Sequence, residues 1–160
     1  MRIYIVGGPG SGKTTYAKKL SEKHKIPYVE LDELYWVNGN GRHYQTKRDE
    51  KERAKMLDNA ISENTDWICD GAYHNDWVDP VFNKADKVII LQPPRWVRQY
   101  RCVKRFVKRK LNIEKSDNKE NIVSFCKLLR WSHSYEKDCL PELINKLKKD
   151  NIDCEIIDNR

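Results

Sequence analysis

Residues 7–15 read GGPGSGKTT and follow directly on the apolar run IYIV at positions 3–6. Four glycines bare the backbone where a short β-branched and aromatic stretch ends, and a lysine and two hydroxyls come next. Gly7, Gly12, Lys13 and Thr14 satisfy the spacing G-x-x-x-x-G-K-S/T between a predicted strand and a predicted helix, the setting in which this spacing carries meaning. Successive amides without intervening Cβ atoms can fold around phosphate oxygens, and the amino terminus of the following helix adds the positive end of its dipole. Lys13 can then reach the terminal phosphates and Thr14 can ligate magnesium. The expected cradle is Gly8, Pro9, Gly10, Ser11, Gly12, Lys13, Thr14 and Thr15, shaped for the tail of a nucleoside triphosphate.

Outward from this loop, Tyr16, Ala17 and Leu20 at helical spacing lead to IPYVEL (26–31), which returns to strand character and completes a βαβ unit. Asn and Gly mark NGNGRHY (38–44) as a loop. Thr46 is placed to cap a helix whose stripe Ala54, Leu57, Ala60 and Ile61 runs to Ser62. DWICDG (66–71) and DKVIILQ (86–92) read as the third and fourth strands, and Pro93-Pro94 close the latter and start a helix. That helix has two faces, one with Trp96, Tyr100, Val103 and Val107, another with Arg98, Arg101, Arg105 and Arg109. NIEKSDNKEN (112–121) is a polar connector. A further helix carries Ile122, Phe125, Leu128 and Leu129, Pro141 restarts helix through Leu143, Ile144 and Leu147, and CEII (154–157) is a last strand.

Strands alternating with helices predict a parallel sheet with right-handed crossovers and helices on both faces. The expected fold is α/β, a three-layer α/β/α P-loop NTPase fold around a five-stranded parallel sheet. A chain of 160 residues buries one sizeable core and is short for two, so residues 1–160 are read as one domain.

Hydrophobic residues at 39% and charged residues at 34% describe a soluble globular chain rather than a fibrous or disordered one. No apolar run reaches the roughly 18–20 residues of a membrane span, and MRIYIVGG leads into a structured motif rather than a cleavage site. A cytoplasmic protein with no membrane partner is expected. Cys69, Cys102, Cys126, Cys139 and Cys154 lack a CxxC pair and fit reduced thiols; His24, His43, His74 and His133 are dispersed, against a zinc-thiolate site. The net charge of +7 favours anionic partners. It is concentrated in Arg95, Arg98, Arg101, Lys104, Arg105, Lys108, Arg109 and Lys110, a stretch without Asp or Glu. Charge runs are usually solvated faces, but this one lacks local acidic partners.

NKAD (83–86) spells a guanine-reading tetrapeptide, yet it precedes the fourth strand instead of following one, and Asp70-Gly71 lacks the spacing of a GTPase switch. It is read as coincidence.

GGPGSGKTT, LDELYW (31–36), WICDGAY (67–73) and PPRWVRQYRCVKR (93–105), in that order, resemble the nucleoside-monophosphate-kinase branch of P-loop proteins, the adenylate-kinase and shikimate-kinase relatives. More closely they resemble the DNA topology modulation (FlaR-like) proteins, or adenylate-kinase-related kinases. The resemblance implies an ATP-dependent phosphotransferase using Mg2+. Asp70 would hold the hydrated metal together with Thr14, and Asp32 would face the phosphoryl acceptor. Both positions suit an open α/β sheet, whose strand carboxyl ends line the ligand crevice, and Asp32 could accept a proton from an acceptor hydroxyl. Arg101 and Arg105 match the spacing at which the family's helix enters its lid, here a short, zinc-free helical lid at about 101–121. One would stack on adenine and the other would reach the transferring phosphate, where arginine supplies fixed, planar positive charge. Arg130 is a further candidate.

One departure concerns the acceptor. Adenylate kinases place an arginine after the Asp-Gly to grip the acceptor's monophosphate, and here that position is His74. The acceptor, small-molecule or nucleotide-like, is thereby left open. Tyr35, Trp36, Tyr44, Tyr73 and Trp77 could line its pocket, although large aromatics are more often core. Two alternatives stand beside the kinase. The basic stripe admits non-specific attraction to nucleic acid, as in a regulatory ATPase, or the acceptor could be an oligonucleotide end. Neither a preference for ATP over GTP nor an oligomeric state is specified by these residues.

Overall fold

Ile3, Tyr4, Ile5 and Val6 are all buried because β1 (Arg2–Val6) is the middle strand of a sheet covered on both faces. A computed structural model of the chain describes residues 1–37, 46–111 and 122–160. β1 is followed by α1 (Lys13–His24), β2 (Tyr28–Glu30), α2 (Leu31–Tyr35), α3 (Glu50–Ser62), β3 (Trp67–Gly71), α4 (Asp79–Lys84), β4 (Lys87–Leu91), α5 (Arg95–Lys110), α6 (Ile122–Ser134), α7 (Cys139–Lys149) and β5 (Cys154–Ile157). Among the described residues the sheet has five strands in the order β2-β3-β1-β4-β5, parallel throughout. This is the three-layer α/β/α P-loop fold.

Alternation along β1 feeds two cores. Tyr4 and Val6 pack with Leu31, Leu57, Ile61, Phe82, Leu143 and Leu147 on one face, whereas Ile3 and Ile5 pack with Ala17, Ile68, Ile89 and Leu91 on the other. The parallel register sets Asp70 of β3 beside Ile5 of β1 and Glu30 of β2, so the carboxyl ends of all three strands open into one crevice. No described helix is long and apolar enough to cross a membrane.

Several boundaries differ from the sequence expectations. IPYVEL does not continue as strand to residue 31: the strand stops at Glu30, and Leu31 turns into the core while Asp32 and Glu33 occupy the first turn of α2, where their charge complements the helix dipole. Asp49, not Thr46, caps α3, its side chain accepting from the amides of Lys51 and Glu52 at 3.0 and 3.3 Å. Thr46 instead gives its carbonyl to the amide of Val37.

The two faces of α5 are present, with the arginine row turned toward the fold and the apolar row toward solvent. Trp96, Tyr100, Val103 and Val107 are exposed, and the helix is anchored by Val97, Arg98 and Cys102. Arg98 is fully buried, and Arg101, Arg105 and Arg109 on the same row are half-buried. The loop 38–44 with Tyr44, and the connector 112–121 that forms most of the expected lid, lie outside the described residues. NKAD sits at the amino-terminal end of β4, opposite the crevice, where the Arg2 guanidinium binds Asp86 at 2.6 Å.

Candidate functional site

The glycine loop is a tight turn between β1 and α1, with the amide of Ser11 bonded to the carbonyl of Gly8 at 3.1 Å. Gly10 and Gly12 have φ of 77° and 86°, a left-handed backbone that favours glycine. Space is as decisive as torsion. A Cβ on Gly10 would stand 2.3 Å from the carbonyl oxygen of Arg98, and one on Gly8 would meet the Tyr135 ring at 2.9 Å. The loop therefore lies flat against α5 and the residue that follows α6. No side chain caps α1, so its first amides keep their capacity for an anion.

Behind the loop stands a buried polar brace. Arg98 donates to the carbonyls of Ser132 at 3.0 Å and Pro93 at 3.4 Å and pairs with Glu136 at 3.0 Å, which Arg95 also binds at 2.9 Å. Ser132 in turn donates to the carbonyl of Pro9 at 3.3 Å. Burial opposes ionisation of Glu136, but Arg95 and Arg98 outweigh it and hold the carboxyl below its ordinary range.

Thr14 and Asp70 meet, the hydroxyl donating to one carboxylate oxygen at 2.8 Å while the Tyr28 phenol donates to the other at 2.5 Å. Asp70 is 1% exposed. Burial raises its pKa, while the charge of Lys13 and the bonds from Tyr28 and Thr14 pull it back. Burial and the neighbouring Asp70 charge push the Tyr28 phenol far up, so it stays a donor.

These residues fit the nucleotide and metal that the sequence implies. A Cβ at Gly8 or Gly10 would push the loop off Tyr135 or Arg98, the buried Ser11 hydroxyl has no hydrogen-bond partner, and a hydroxyl and a carboxylate, both hard oxygen donors, converge beside Lys13. Arg101 lies over the loop, donating to the carbonyls of Ser11 at 3.2 Å and Asn159 at 2.8 Å. Asn159 also donates to Ser11, so the last strand's tail reaches the loop, a contact the sequence reading missed. Arg105 is half-buried one turn further along α5; Arg130 is exposed, and Thr15 also faces solvent.

Across the crevice Asp32 accepts from the Tyr73 phenol at 2.6 Å, and Tyr73 stacks on Tyr35 with ring centres 4.9 Å apart. Burial and the Asp32 charge keep that phenol protonated. Tyr35, Trp36, Tyr73 and Trp77 are only partly buried and form one cluster. Arg53 of α3, also missed, stacks on Tyr35 and Trp77. Its signal was present: it occupies the helical row of Leu57 and Ile61, where a charge is unexpected. His74 is drawn toward α7, with Nε2 2.9 Å from Glu142.

Fold and loop together define a P-loop protein of the α/β/α class. The chain belongs to the AAA domain family, whose profile matches residues 6–123. It is also similar in part to adenylate kinases. Identity is 45% over 38 residues with the adenylate kinase of Lachnoclostridium phytofermentans, covering 24% of this chain and 18% of that protein. With that of Mycolicibacterium paratuberculosis it is 50% over 38 residues, covering 24% and 21%. The matched segment thus spans about a fifth of the length of these relatives.

Proposed function

We propose that residues 1–160 form one kinase-like domain that moves the γ-phosphoryl group of ATP to a hydroxyl of a small-molecule or nucleotide-like acceptor, in a cytoplasmic setting. The observation that carries this reading is the pairing of two carboxylates across one crevice. Asp70 meets Thr14 at the phosphate loop, and Asp32, at the start of α2, is oriented by the Tyr73 phenol. A hydrolytic P-loop protein needs the first arrangement; an oriented carboxylate on the other side suits an acceptor.

The loop amides and Lys13 hold the triphosphate, while Thr14 and Asp70 would hold Mg2+, Asp70 through water. When bound, Mg2+ neutralises charge on the phosphate oxygens. Asp32 orients the acceptor hydroxyl and takes its proton as the acceptor oxygen bonds to the γ-phosphorus. The bond from that phosphorus to its bridging oxygen breaks, and ADP leaves. Arg101 steadies the adenine side of the nucleotide, and Arg105 offsets charge on the transferring group. Exclusion of water by the 101–121 segment favours the acceptor over hydrolysis.

The reading is tested with γ-labelled ATP and a panel of hydroxyl acceptors. Asp32→Asn is expected to lower transfer by about 10²–10⁴-fold with ATP binding intact; equal transfer by the variant removes Asp32 from the chemistry.

The exposed face of α5 favours one other reading. Trp96 and Tyr100 stand one turn apart, with Lys104 over the Tyr100 ring at 5.8 Å, an arrangement suited to stacking on single-stranded nucleic acid. An oligonucleotide-end kinase or a nucleic-acid-linked regulatory ATPase of the topology modulation kind would use it. Trp96→Ala would then lower oligonucleotide affinity at constant ATP binding.

A further inference from the structure

The carbonyl of Ser11 accepts twice, from Nδ2 of Asn159 at 2.9 Å and from Nη1 of Arg101 at 3.2 Å, while Nη2 of Arg101 donates to the carbonyl of Asn159 at 2.8 Å. Three distant parts of the chain thus close one ring of bonds: the phosphate loop, α5 and the tail that follows β5. A Cβ on Gly12 would stand 3.0 Å from Nδ2 of Asn159 and 3.4 Å from Nη1 of Arg101, so both donors lie against the peptide that enters α1.

The orientation of that peptide is not fixed by the loop's own residues. Gly10 and Gly12, at φ 77° and 86°, belong to a residue type whose backbone passes between conformations at little steric cost. In a planar trans peptide the carbonyl and the next amide point in opposite directions. Two donors on the Ser11 carbonyl therefore turn the amide of Gly12 away from Asn159 and Arg101, at the amino end of a helix that no side chain caps.

Packing gives the tail little reason to lie there. β5 is exposed from Cys154 to Ile156, and its pairing with β4 ends where the amide of Gln92 donates to the carbonyl of Ile157 at 2.9 Å. Oδ1 of Asn159 is buried without a partner, a cost that an apolar side chain would avoid. What asparagine supplies is the Nδ2 donor.

We infer that Asn159 is a positioning residue for the triphosphate: its side chain, together with Arg101 held on its carbonyl, sets the Ser11–Gly12 peptide with the Gly12 amide turned toward the phosphates. The inference rests on the proposed function for the identity of the ligand. Affinity at one end of the chain then depends on a side chain 148 residues away from Ser11.

The test compares the full chain with its Asn159→Ala variant in two ways. Without ligand, the 15N resonance of Gly12, which senses hydrogen bonds on the preceding carbonyl, is expected to move. In calorimetric titrations, Mg2+-ATP and Mg2+-tripolyphosphate, which has no base, are each expected to bind about tenfold more weakly, and adenosine as tightly as before. Should Asn159→Ala fail to fold by circular dichroism, Asn159→Ser, whose hydroxyl is too short to reach the carbonyl, replaces it with the same expectations. An unmoved Gly12 resonance, wild-type affinity for tripolyphosphate, or an equal loss of affinity for adenosine overturns the inference, the last because the tail would then serve the base. Failure of the phosphotransferase reading looks different: no transfer to any acceptor by a wild-type chain that binds tripolyphosphate, with that binding still weakened by Asn159→Ala.

Discussion

Two buried arginines stand on either side of the crevice and are treated in opposite ways. Arg98, under the phosphate loop, is paired with Glu136 and donates to the carbonyls of Pro93 and Ser132, although its Nε is left without a partner. Arg53, beside Asp32, is stacked but unmatched. One guanidinium is held by a carboxylate and two carbonyls, the other by two aromatic rings. Burial alone does not distinguish the two, and neither does Nε, which is unpartnered in both; what differs is the carboxylate of Glu136 beside Arg98.

The largest effect that probes this contrast comes from the side of the phosphate loop. Gly10→Ala adds a Cβ 2.3 Å from a backbone carbonyl at a φ of 77°, and is expected to cost about 4 kcal/mol in chemical denaturation, from strain and overpacking together. Arg98→Met follows at about 3 kcal/mol, because Glu136 and two carbonyls lose their donor. Lys13→Ala leaves the fold intact but removes the stabilisation by Mg2+-ATP, which at a hundredfold excess over Kd is about 2.7 kcal/mol and is read as a lost shift in Tm.

Arg53→Met is expected to move stability the other way, up by about 1 kcal/mol, since the unmatched charge is replaced by an apolar side chain of similar length. A loss as large as that of Arg98→Met would erase the contrast between the two arginines. The smallest effect concerns pH. Glu136 is held below its ordinary pKa in the folded chain, so its contribution is present at neutral pH and is lost as pH falls through the folded value. Glu136→Gln is expected to lower stability at neutral pH and to flatten the acid limb of the stability curve.

The nucleotide side was legible in the residues 7–15 because its geometry is local: glycines at φ 77° and 86°, a lysine and a threonine, all contiguous. The unbroken apolar run Ile3 to Val6 likewise announced a strand covered on both faces. The Asp32 side was legible only in pieces. Asp32, Tyr73 and Trp77 were visible as candidates, but their meeting with Arg53 depends on α2, α3 and the segment after β3 packing together, which no spacing encodes. Arg98 misled for the same reason, since its step along α5 matches Arg101 and Arg105 while its side chain turns under the loop. Helical periodicity places residues on a face; only tertiary packing decides whether that face meets water.

Phosphoryl transfer requires first that the phosphate loop grip a nucleoside triphosphate. Calorimetric titration of the wild-type chain with Mg2+-ATP is expected to give one saturable site that Lys13→Ala abolishes. No heat of binding at millimolar nucleotide, or equal binding by the Lys13→Ala chain, would contradict it.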